Sequence, residues 1–252
     1  MRSTAGQTIL LSMYWMLRSS RAWKGSTDPD YEAKARRVNE LYDLADGKSI
    51  PGEGDPEIVL CFDEFGPLNL QPHPGHQWAP AATGIGDQDS PRRRRRRATY
   101  KRPHGVRHLL AAYDLSTDKL YAHVKPHKRR TEFLAFMRYL RTLHPTTQRI
   151  AIIMDNYGPH LSTRIDARVG DWAAASNVEL AYVPFDSSWL NRIEPQFTAL
   201  RYFALNGTDH PSHKAQGSMI CRFIIWRNHH TTDPKLRKVI RRASIVKRAK
   251  VA

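Results

Sequence analysis

Cysteine is nearly absent: Cys61 and Cys221 are the only two in 252 residues. Two are too few for a disulfide framework, and the count fits a reducing compartment. Cys61 stands inside the apolar run "IVLCF", where any small hydrophobe would serve. No apolar stretch approaches the ~20 residues that a membrane-spanning helix needs, and no membrane partner is expected. The apolar start from Ile9 to Leu17 is broken by Ser12 and followed by Arg18 and Arg21 without a small-residue cleavage pattern. It reads as part of a helix, not as an export signal. Acids are scarce too: 24 Asp and Glu against 40 Lys and Arg leave a formal charge of +16. So large an excess favours a polyanionic partner, nucleic acid first, with a merely basic soluble protein as the alternative.

What is present is an alternation of helix and strand signals with no internal repeat. "STDPDYEAKARRVNELYDLA" offers Ser26 or Asp28 as helix cap and Pro29 at the first helical position. Val38, Leu41, Tyr42 and Ala45 are spaced for one apolar face, and Gly47 ends the helix. "EIVLCFDEFG" is the first convincing strand, "HQWAP" is weakly extended, and two strands flank a turn at Asp114 to Lys119. In "TEFLAFMRYLRTL", Phe133, Phe136, Met137, Leu140 and Leu143 share a helical stripe. "RIAIIMDN" is strand, "LSTRIDARVGDWAAAS" helix, and "VELAYVP" strand. Strands first, then alternating helix and strand, predict an α/β fold: a mixed sheet flanked by helices. The expected divisions are a helical segment over 1–50, a catalytic domain over 51–210 and a basic helical extension over 211–252.

Two of these strands share a design. Ile58 to Phe62 run into Asp63, and Ile150 to Met154 run into Asp155. Continuous apolar runs suit central strands covered on both faces, and neighbouring strands of this kind would bring two carboxylates together. Like charges that close repel unless a divalent cation lies between them. A third acid, Glu194, lies beside the stripe Trp189, Ile193, Phe197, Leu200 and Ala204, which reads as the core side of a helix. For any one acid alone a turn or helix cap is the ordinary explanation. Three together make an oxygen-ligand site suited to magnesium or manganese. Asn191, one helical turn before Glu194, is expected to support it, and Trp189 is expected in the core. The patch "PRRRRRRATYKRPHGVR" must be an exposed loop because six like charges repel. It is either a solvated run or a phosphate contact through Arg92, Arg93, Arg94, Arg95, Arg96, Arg97, Lys101 and Arg102. The tail "KLRKVIRRASIVKRAK" carries the same electrostatic expectation.

"CFDEFGPLNLQPHPGHQWAP", "RATYKRPHGVRHLLAAYDLSTDKL", "IMDNYGPHLS", "PFDSSWLNRIEPQFTALRYFALNGTDHPSH" and "IIWRNHH" occur in order, and with them the chain resembles bacterial insertion-sequence transposases of the mariner superfamily. The resemblance runs from about Trp23 to about Ala243. It implies a ribonuclease H-like catalytic domain whose Asp, Asp, Glu triad binds two divalent ions, Mg or Mn. Asp63 matches the first acid, Asp155 in "MDN" the second and Glu194 in "LNRIE" the third. Asn156 and His160 are then expected to orient Asp155 or touch the scissile phosphate. The implied activity is metal-dependent cleavage and strand transfer at the ends of a mobile element. The implied partners are double-stranded DNA, as element ends and target, and a second copy in a homodimer. The implied setting is the nucleoid of a bacterial cytoplasm.

In two places the chain departs from that pattern. Full-length members carry helix-turn-helix modules before the catalytic domain, while here only some twenty residues precede "WKGSTDPD", so one product of a split or truncated reading frame is expected. Pro195 follows Glu194 directly, which predicts that the helix begins there, with Glu194 as cap, instead of continuing from Ser188. The competing expectation is a catalytically inactive DNA-binding remnant; another ribonuclease H-like nuclease is the third.

Overall fold

The computed structural model describes residues 26–70 and 102–249. The expectations for the first 25 residues, for "HQWAP", for Arg92 to Arg97 and for Lys101 lie outside the described residues.

Five strands form one sheet: β1 Ile58–Leu68, β2 Arg107–Asp114, β3 Lys119–Lys125, β4 Ile150–Met154 and β5 Val178–Tyr182. Their order is β3-β2-β1-β4-β5. The first three are antiparallel neighbours, while β1, β4 and β5 run parallel. The helices are α1 Tyr31–Ala45, α2 Arg130–Thr142, α3 Arg168–Ala175, α4 Glu194–Leu200, α5 His213–His229 and α6 Pro234–Ala249. A π-helical turn, Arg201–Leu205, continues α4.

Alternate strand residues leave on opposite faces, and both faces are covered, as the uninterrupted apolar runs require. Val59, Cys61, Ala151 and Ile153 meet Val38 and Leu41 of α1, Phe197 of α4, Ile220 of α5 and Leu236 of α6. Leu60, Phe62, Ile152 and Met154 meet Phe133, Phe136 and Met137 of α2 and Val169 of α3. The result is a three-layer mixed sheet flanked by helices, as the element order foretold. The helices at both ends share the first of these cores.

Local details differ from expectation for identifiable reasons. Helix α1 is capped by Asp30, not by Ser26 or Asp28, and Pro29 lies in the turn before it. Asp28 is instead buried against Lys34, whose Nζ lies 2.9 Å away, and accepts the backbone N–H groups of Asp30 and Phe185. Leu143 is the exposed C-cap of α2, not a core residue. The helix expected across "LSTRIDARVGDWAAAS" is confined to Arg168–Ala175. Before it, Ser162 Oγ accepts the Gly170 N–H at 2.7 Å and donates to Ala167 O, diverting the chain into a turn.

Candidate active site

Residues Cys61 and Ile153 are register partners in the parallel β1–β4 pair, an offset of 92 positions. The same offset separates Asp63 from Asp155, which lies one residue beyond the end of β4 and two past the last register pair, so the register continued that far would carry both aspartates out at the same end of adjacent strands. Asp63 follows Val59 and Cys61 onto the first face of the sheet. Helix α4, beginning at Glu194, packs over that face through Ile193 and Phe197.

Asp63 registers the crowding. Burial, together with the charges of Asp155, Glu194 and Glu64, pushes its carboxyl up to about 7 against one opposing hydrogen bond from the Glu64 N–H. Asp63, Asp155 and Glu194 are near enough for the charges of the last two to act on the first, and hard oxygen donors of this kind suit a divalent cation such as Mg or Mn. Among the described residues no three acid, histidine or cysteine side chains stand at ligand spacing around a single point. One reason is that Asp155 turns toward His160.

That histidine is fully buried and joins two acids. Its Nδ1 lies 2.7 Å from Asp155 Oδ1 and its Nε2 lies 2.9 Å from Glu64 Oε1. Burial opposes a charge on the ring, but the two carboxylate bonds overcome it and raise its pKa to about 9, so at neutral pH both ring nitrogens donate. Asp155 is lowered correspondingly: burial would raise it, but His160, the Tyr157 N–H and Lys128 outweigh that. The ring packs against Phe62 and Phe133, and Tyr182 Oη donates to its carbonyl at 2.8 Å. Arg130 Nη2 donates to Leu161 O at 2.9 Å and Gly158 O at 3.1 Å, fixing the turn that carries His160.

The remaining expected residues occupy supporting places. Asn156 Nδ2 donates to Val183 O, tying the end of β4 to the segment after β5. Asn191 is buried and donates to Phe62 O at 2.7 Å, one residue before Asp63. It does not lie one helical turn before Glu194 on a continuous helix: it closes a short 3-10 turn, Ser188–Leu190, and α4 starts afterwards. Trp189, expected in the core, sits in that turn and is 36% exposed. Arg102 is exposed.

Glu64 and Lys128 are additions that sequence reasoning missed. Glu64 Oε2 lies 3.7 Å from Lys128 Nζ, and that ammonium sits 4.0 Å over the Tyr157 ring. The only sequence signal for Glu64 is its place beside Asp63, which strand alternation sends to the opposite face.

Helix α4 has Ile193 as N-cap, Glu194 first and Pro195 second. The expected start is therefore right to within one residue, and proline costs little where the N–H has no intrahelical acceptor. Pro195→Ala is expected to shift stability by under about 0.5 kcal/mol. Nicking rates should agree within about twofold, under 0.5 kcal/mol of barrier. A several-fold gain in nicking would mean that the proline misaims Glu194.

The fold and the acids on its central strands define a ribonuclease H-like domain. Residues 58–215 match the family model described as DDE superfamily endonuclease, and the chain belongs to that family. Among solved structures, the Mos1 mariner paired end complex with Mn is similar at 15% identity and a TM-score of 0.50, covering 96% of this chain and 70% of that one. The Mos1 transposase paired-end complex with left transposon end is 16% identical with a TM-score of 0.49, covering 93% and 70%. At such identity the first of these likenesses speaks to the fold alone. Comparison with curated proteins gives no match.

Proposed function

We propose that this DDE-family chain is a divalent-metal-dependent transposase that cleaves DNA strands at the ends of a mobile element and joins them to target DNA. Asp63, Asp155 and Glu194 are the proposed catalytic carboxylates and metal ligands. The observation supporting this reading is that Asp63 and Asp155 follow the same register offset out of adjacent parallel strands, with Asp155 and Glu194 both near enough to help push the Asp63 carboxyl to about 7. Folding alone gains nothing from concentrating negative charge there. When bound, Mg or Mn would activate a water or a DNA 3′ hydroxyl and relieve charge on the leaving oxygen, and two ions are proposed.

The protein's own groups would do the positioning. His160 holds Asp155 in place and keeps Glu64 neutralised, while Asn191 anchors the strand just before Asp63. Lys128, beside Tyr157 at the rim, offers a cation to a phosphate. Arg92 to Arg97, Lys101 and Arg102 are proposed to meet the DNA backbone, adding roughly 0.9 to the log affinity against log salt slope for each phosphate neutralised. A homodimer pairing two ends, and a bacterial nucleoid location, belong to the same reading.

The test incubates the chain with duplexes carrying intact element ends, in Mg, Mn or EDTA. Nicking in either metal and none in EDTA is expected, with joined strands distinguishing a transposase from another ribonuclease H-like nuclease. Retained DNA binding without nicking in either metal would replace this reading with the inactive remnant.

A further inference from the structure

Helix α6 has seven basic residues and no acid between Pro234 and Ala249. Its apolar residues Leu236, Val239 and Ile240 pack on the sheet's first core. Its other side displays Arg237, Lys238, Arg241 and Arg242, all exposed. The pairs Arg237/Arg241 and Lys238/Arg242 are four residues apart and stack like charge on like charge, which destabilises a helix unless something outside it compensates. Among the described residues none of the four forms an ion pair. Arg237 donates Nε to Thr231 O at 3.0 Å, and no ion pair or hydrogen bond engages its other guanidinium nitrogens among the described residues.

These four cations border a cavity of about 680 Å³ whose far wall includes Tyr113, Gln196 and Arg227. Its single acid, Asp118, is already taken. Arg227, itself buried, donates to both its carbonyl and its carboxylate, and Tyr113 Oη donates to the same carboxylate oxygen at 2.9 Å. The wall is rigid, because Arg227 Nε also donates to Gln196 Oε1 at 3.2 Å. Tyr113, Gln196 and Ile240 line a second cavity of about 430 Å³ as well, which reaches Trp189, Arg192 and Pro195. Sharing these three residues, the two cavities adjoin as a trough from Pro195 to Arg242, and the acid of the second, Asp46, is likewise taken, by Arg192 and Lys48.

We infer that this trough is a second binding track for the phosphate backbone of duplex DNA, separate from the carboxylates. Charge complementarity selects the occupant: a run of uncompensated cations on one rigid wall suits a repeating anion, and a compact anion would need only a fraction of it. The inference takes from the proposed function only that the partner is duplex DNA.

The test measures binding of a duplex of about 30 base pairs and arbitrary sequence by fluorescence anisotropy across a salt series, in EDTA. Without metal no cleavage is involved, so failure here and failure of the nicking assay are separate results. R241Q/R242Q should flatten the log affinity against log salt slope by about 1.5–2, near the full value for two phosphate contacts. R241K/R242K should keep the parental slope. R36Q/R138Q removes the same charge from exposed positions on α1 and α2, and should leave the slope within about 0.5 of the parent. An unchanged slope in R241Q/R242Q, or an equal flattening in R36Q/R138Q, would overturn the inference. The first would make α6 a solvated face, and the second would reduce the effect to net charge.

Discussion

Asp63→Asn and Glu194→Gln, made singly, are expected to lower metal-dependent nicking at least about a thousand-fold, near 4 kcal/mol of barrier. That is the scale of charge stabilisation a metal supplies in such a displacement. Both changes keep the side-chain shape, so the fold should survive. Asp63→Asn should also reverse the usual sign of a stability change in EDTA. The folded-state carboxyl titrates near 7 against an ordinary 3.8, so the native protein holds a proton that the unfolded chain releases. Stability is therefore lost as pH rises from about 4 through about 7, and the amide, which carries no charge, escapes that loss. At pH 8 its melting temperature should exceed the parent's by roughly 2–4 °C per kcal/mol of repulsion relieved. Parental nicking within tenfold would remove Asp63 from the chemistry, whereas a lower melting temperature would show that its charge is already compensated.

Replacing His160 by alanine should cost about 3 kcal/mol in EDTA, the low end for breaking a buried pair, since the Asp155 side chain is 38% exposed. The loss leaves Glu64 and Asp155 without their shared cation. The effect carries a pH signature. The folded-state histidine titrates near 9 against an ordinary 6.5, so the contact's stabilisation is fully present below about 6.5 and fades as pH rises through about 9. Melting curves of parent and variant should therefore converge over that interval. A gap that stays constant from pH 6 to 10 would instead assign the loss to the ring's packing on Phe62 and Phe133.

The sequence by itself determined the local part of this protein. Apolar runs ending in Asp63 and Asp155 marked two covered strands, because strand burial repeats every two residues and needs no distant partner to be visible. Pro195 marked a helix start, because its ring and missing N–H act within one turn. The Asp63, Asp155 and Glu194 set was assembled from two strand ends and a helix edge, and the resemblance then gave each acid its place in a triad. Only the tertiary structure decided what lies next to what. Pairing of β1 with β4 brings the strand ends that lead to Asp63 and Asp155 side by side, and the pairing depends on the whole sheet. Glu64 was illegible because an acid in a strand reads as solvent-facing until His160, 96 positions away, folds beneath it. Trp189 read as core from its spacing along a helix that does not begin until five residues later. The basic stripe of α6 was visible in the chain, but its uncompensated state was not. That depended on Arg227 occupying Asp118 from 109 residues away, a choice made by packing and not by sequence neighbours.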